Sequence, residues 1–96
     1  MANVRDALVT RGELVVSVDV WSPDRHTAQL LMFYRLQDGA LVRTVRTTPI
    51  YCRRLAADNK GDLWCMGLDL PKQIAGQVDY KVLYHFSPVG ELKQAI

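Results

Sequence analysis

Thr10-Arg11-Gly12-Glu13-Leu14-Val15-Val16 and Asn59-Lys60-Gly61-Asp62-Leu63-Trp64-Cys65 read as one motif written twice. Each is a polar turn with glycine where a positive φ is needed, followed by an apolar strand. Gly12 and Gly61 are 49 positions apart. Further along, Met32-Phe33-Tyr34-Arg35-Leu36 matches Val82-Leu83-Tyr84-His85-Phe86 at a separation of 50, and Gly39-Ala40-Leu41 matches Gly90-Glu91-Leu92 at 51. The separation grows by one residue at a time, each time in a loop. That is the drift expected of a repeat of about fifty residues.

Each copy holds four strand-like runs. In the first they are Val4 to Val9, Glu13 to Trp21, Gln29 to Leu36 and Ala40 to Thr47. In the second they are Ile50 to Ala57, Leu63 to Leu68, Tyr80 to Phe86 and Glu91 to Ile96. Pro71 and Gly76 break the longest loop, and essentially no helix is expected. The second and third runs, such as Leu14-Val15-Val16-Ser17-Val18 and Leu30-Leu31-Met32-Phe33-Tyr34, are apolar on both faces. The fourth run, Leu41-Val42-Arg43-Thr44-Val45-Arg46, mixes in polar residues. Hairpin connections make the strands antiparallel, and two-faced burial places each sheet between other layers. This pattern predicts an all-β chain of two four-stranded antiparallel propeller blades, about 3–47 and about 48–96, forming a single unit over 1–96. An eight-stranded β-sandwich or barrel is the alternative.

The segment from Arg54 to Cys65, followed by Val82 to Leu92, resembles the NHL-type repeat of six-bladed propellers. The shared features are an apolar strand, Asp58, a turn at Gly61, an aromatic strand, and an aromatic residue before the turn at Pro88 and Gly90. The resemblance covers the second copy. The first has Val9 in place of the aspartate and no proline before Gly39. It implies a fold and little about function, since such propellers include scaffolds, lectins, lyases and lactonases. Two blades cannot close a ring, and repeat units need neighbours to cover their faces. The expectation is therefore a fragment of a longer propeller or a homo-oligomer, with three chains giving six blades.

Composition fits a folded domain: 96 residues, 49% hydrophobic, 23% charged and a net charge of +2. Arg43, Arg46, Arg53 and Arg54 are the main basic grouping, too sparse to demand a nucleic-acid partner. No apolar run is long enough to span a bilayer. The opening Met1-Ala2-Asn3-Val4-Arg5-Asp6 lacks the pattern of a secretory leader, so a cytoplasmic location is the default expectation.

Function is sought in the loops at the blade end that joins second to third strands and one blade to the next. There Trp21 offers a stacking surface, and Asp24, Arg25 and His26 offer a carboxylate, a cation and a titratable base. Asp69 and Lys72 occupy the corresponding loop of the second copy. Asp19 and Asp69 end the second strands and either cap loops or join a carboxylate site. His26 and His85 are the only histidines, without metal-binding spacing, so no metal and no cofactor are expected. No nucleophile motif or phosphate loop is present. The leading reading is a non-enzymatic binding or scaffold module. The alternatives are a lactonase- or lyase-type enzyme with a central metal, and a small lectin. If Asp58 faces Asp62, Leu55 faces Cys65 and Cys52 lies three residues further on. That places the cysteines about 10 Å apart or more, beyond the roughly 7 Å limit for a disulfide.

Overall fold

A computed structural model describes residues 1–24, 27–77 and 81–96. Its strands are β1 (Ala2–Thr10), β2 (Glu13–Trp21), β3 (Thr27–Arg35), β4 (Leu41–Arg46), β5 (Ile50–Ala57), β6 (Leu63–Asp69), β7 (Leu83–Phe86) and β8 (Leu92–Ala95). They form two four-stranded antiparallel sheets, ordered β1-β2-β3-β4 and β5-β6-β7-β8. Each sheet is one copy of the sequence repeat.

Three expectations are corrected. The single-turn helix α1 (Leu70–Ile74) follows β6, where a plain loop was expected. Pro71 does not break structure there. It occupies the first turn of α1, where its missing N–H costs nothing, while Asp69 accepts a hydrogen bond from the Lys72 amide at 3.2 Å. β7 begins at Leu83, with Lys81 and Val82 outside it; Tyr80 lies outside the described residues.

The third correction concerns the cysteines: Cys52 and Cys65 are disulfide-bonded, with Cα atoms 5.4 Å apart. Leu55 does face Cys65. A β-bulge between Cys52 and Arg54 places two steps of β5 against one of β6, so Cys52 sits opposite Gly67. The offset falls to two rungs, and the bend that accompanies a bulge closes the remaining distance. Both cysteines are fully buried.

Strand alternation explains the core. On one face of the first sheet, Leu8, Val15, Phe33 and Arg43 form one rung, and Asp6, Ser17, Leu31 and Val45 the next. Opposite them the second sheet presents Cys52, Leu63, Cys65, Tyr84 and Phe86. The Arg43 guanidinium lies 4.3 Å from the Phe33 ring centre and is held by Glu13 at 2.7 Å, roofing the outer end of the core. Gly90, at φ 92°, lets the β7–β8 turn press onto Val45 and Phe33. The sheets approach most closely along their first strands: β1 and β5 come within 8 Å. The Leu55 amide there donates to Asp6 Oδ2 at 2.7 Å.

The two sheets do not present equivalent faces to each other. Val15 and its register partner Phe33 face the second sheet. Their counterparts, Trp64 and Leu83, lie on the far face of that sheet. Conversely, Val16 and Tyr34 face away from the core, whereas their counterparts Cys65 and Tyr84 are in it. The front of one repeat therefore packs on the back of the next.

Candidate functional site

At the end carrying the β2–β3 loop and the β4–β5 link, the inner face of the first sheet turns polar. The sequence Ser17-Val18-Asp19-Val20-Trp21 places Ser17, Asp19 and Trp21 on one side of β2, because alternate residues share a face. Their partners on β3 are Leu31, Gln29 and Thr27. Ser17 donates to the Cys52 carbonyl at 2.8 Å, and Gln29 Nε2 donates to Ser17 Oγ at 2.8 Å. Thr47 and Thr48 fasten the inter-sheet link to the Gln29 backbone, and Thr27 Oγ1 lies 3.0 Å from Tyr51 Oη.

Asp19 is the charged centre of this end. It is 7% exposed. Its Oδ2 accepts from Arg5 Nε at 2.7 Å and from Arg53 Nη1 at 2.9 Å. Arg5 comes from the bulge of β1 and Arg53 from the bulge of β5. A bulge re-aims its side chain, and here two bulges deliver two cations to one carboxylate across the inter-sheet seam. Asp19 Oδ1 and Gln29 Oε1 are buried with no hydrogen-bond partner among the described residues, on directly paired positions. Asp19 thus ties the sheets together and does not cap a loop.

Beside this ladder, two adjoining clefts of about 450 and 510 Å³ share Met1, Trp21, Ser22 and Thr27. Val20, Ala28 and Arg46 complete one and Pro23 the other. Trp21 therefore lies at a concavity. Asp24 accepts a hydrogen bond from Ser22 Oγ. Arg25 and His26 lie outside the described residues. Asp69 is the N-cap of α1, and Lys72 is exposed on that helix. Neither lines the clefts at Trp21. Of the expected site residues, Trp21 alone lines a described cavity.

A second cluster lies at the opposite end, on the far face of the second sheet. Asp58, Asp62 and His85 bring potential ligand atoms within 4.8 Å of one another. These atoms already have protein partners. Asp58 Oδ1 accepts from the Lys60 and Asp62 amides at 2.9 and 3.1 Å, and its Oδ2 accepts from Trp64 Nε1 at 3.1 Å. Asp62 Oδ2 meets His85 Nε2 at 2.8 Å and the Lys93 ammonium at 3.0 Å. The Lys93 and His85 contacts hold the Asp62 carboxyl below its ordinary value, and the Trp64 bond does the same for Asp58. Trp64 and His85 stack at 4.0 Å with 9° between their planes. The cluster locks the β5–β6 turn to β7 and β8.

Comparison with known proteins finds no matching family, no matching curated protein and no matching solved structure.

Proposed function

We propose that this chain is a non-enzymatic binding or scaffold module that assembles head to tail into a propeller-type ring, with its ligand end at Trp21. The observation that carries this reading is the front-to-back packing of the two repeats. A two-fold sandwich would join equivalent faces and leave no repeat of the contact to extend. Front-to-back packing leaves an unused back on the first sheet and an unused front on the second. The close approach of β1 and β5 also suits blades that converge on a channel, where an aligned sandwich keeps its sheets about 10 Å apart.

The unused back is apolar. Val9, Leu14, Tyr34 and Leu41 form one rung across it, and Ala7, Val16, Met32 and Thr44 the next. Val9 is 61% exposed and Leu41 50%. Soluble monomers seldom expose so continuous an apolar sheet face. The occupant that fits is the front of another copy, carrying Trp64, Met66 and His85. Three copies supply six blades, in line with the NHL resemblance. The disulfide favours an oxidising compartment over the cytoplasmic default.

Light scattering of the unmodified chain is expected to give three times the monomer mass. Val16→Asp with Met32→Asp is expected to give a folded monomer, because the inter-sheet core is untouched. A well-folded monomer from the unmodified chain overturns the proposal.

A further inference from the structure

We propose that the cleft at Trp21 and Arg46 binds a small organic anion with an apolar body, such as an aromatic or alkyl carboxylate or phosphate ester. The inference rests on reading this end as the ligand end and does not need the ring to close. The floor is the last outward-facing rung of the first sheet, Val20 and Ala28, and Trp21 and Thr27 stand at its rim. At about 450 Å³ it is the size of a site for a small molecule. Its lining among the described residues is mostly short or apolar, with two cationic groups: the Met1 ammonium, which donates to the Trp21 carbonyl at 2.8 Å, and the Arg46 guanidinium.

The Arg46 guanidinium distinguishes the cleft from ordinary surface relief. Arg5, Arg35, Arg43 and Arg53 are each held by a carboxylate. Arg46 lines the cleft, and no hydrogen bond or ion pair joins its guanidinium to a described residue. Its planar fork suits two oxygens of a carboxylate or phosphate. The adjoining cleft, shared through Met1, Trp21, Ser22 and Thr27 and extended by Pro23, has a surface to receive an apolar body. The indole of Trp21 suits stacking on a flat body. The chemistry selects an anionic head at Arg46 and an uncharged body over Trp21.

The test follows the two tryptophan indole N–H signals by ¹⁵N NMR in the unmodified chain, assigned with Trp64→Phe. The probes are benzoate, phenyl phosphate, benzyl alcohol and inorganic phosphate. Benzoate and phenyl phosphate are expected to shift the Trp21 signal saturably in the millimolar range or below. Benzyl alcohol, lacking the charge, and inorganic phosphate, lacking the body, are expected to bind at least about tenfold more weakly. Arg46→Gln is expected to weaken benzoate by about tenfold, whereas Arg54→Gln leaves it unchanged. No saturable shift with benzoate or phenyl phosphate overturns the inference. So does Arg46→Gln binding as tightly as the unmodified chain, or benzyl alcohol or inorganic phosphate matching the aromatic anions. Light scattering on the same samples separates the proposals: failed binding by an assembled ring removes the ligand inference alone, and binding by a monomer removes the ring alone.

Discussion

Replacing both Cys52 and Cys65 by alanine tests the account of the bulge directly. The bond joins residues 13 apart in sequence and spans the β5–β6 hairpin. In the chain-entropy picture, closing a loop of this length restricts the unfolded chain by about 3 kcal/mol. Both residues are fully buried in the inter-sheet core, so losing the two sulfurs adds on the order of 1 kcal/mol. The expected total is about 4 kcal/mol, a large share of the roughly 5–15 kcal/mol that holds a small domain together. Urea unfolding followed by circular dichroism, without reductant and at one fixed protein concentration, reads this as a midpoint lowered by about 1–4 M. Thiol quantification in unfolded, unreduced protein is the companion measurement, with no free thiol expected. Two thiols per chain would show that the bulge does not bring the cysteines together. An intact bond whose loss costs under about 1 kcal/mol would refute the loop-entropy reasoning instead.

Gly67→Ala should destabilise the chain by about 1–3 kcal/mol, because its added methyl meets the Tyr51 carbonyl oxygen and lies 3.1 Å from the Cys52 Cα; thermal unfolding checks it. Asp62 titrates below its ordinary 3.8 because Lys93 and then His85 hold its charged form. Its stabilising contribution is therefore complete above that ordinary value and fades as pH falls through the lower native one. Acid unfolding of Asp62→Asn should accordingly depend less on pH below about 4. Asp19→Asn removes the charge shared by Arg5 and Arg53, which are each 36% exposed. The cost should be on the order of 2 kcal/mol after allowance for that exposure, read by urea unfolding. A variant as stable as the parent would contradict the assigned role.

What the sequence disclosed depended on whether a feature was local. The glycine turns at Gly12 and Gly61 are local, and aligning them placed all eight strands. Register across β5 and β6 was legible near the turn, so Leu55 was correctly set against Cys65. The bulge at Arg53, two residues away, was not, because no glycine signals it. The same gap hid the Arg5–Asp19–Arg53 group: each arginine reaches Asp19 from a bulge, and no spacing rule joins positions 5, 19 and 53. The signal that was available was Ser17 and Asp19 on alternate positions of an otherwise apolar strand, which marks a polar stripe on one face. Helix α1 was also legible, since an Asp followed two residues later by Pro is a helix start as much as a break. Trp64 and His85 stack because of a register set across the long β6–β7 connection, where no turn chemistry fixes the count.

The repeat alone also leaves open how its copies are related in space, because a two-fold and a rotation about a channel both bring equal sheets together. Side-chain fate separates them. Under a two-fold, Val15 and Trp64 would share the interface. Here Val15 is buried between the sheets and Trp64 faces away, stacked on His85 and bonded to Asp58. The two outward faces consequently differ in character. The back of the first sheet is a broad aliphatic surface through Val9, Leu14, Val16, Met32 and Leu41. The front of the second is an aromatic stack rimmed by charge. Two aliphatic backs would leave nothing to fix their register, and two charged fronts would oppose Lys93 and Asp62 to their own copies. In the proposed assembly back against front would have neither problem: the flat Trp64–His85 stack would meet aliphatic side chains, and the charged rim would stay at the solvent edge. The divergence of the second repeat from the first would then select the order in which copies join.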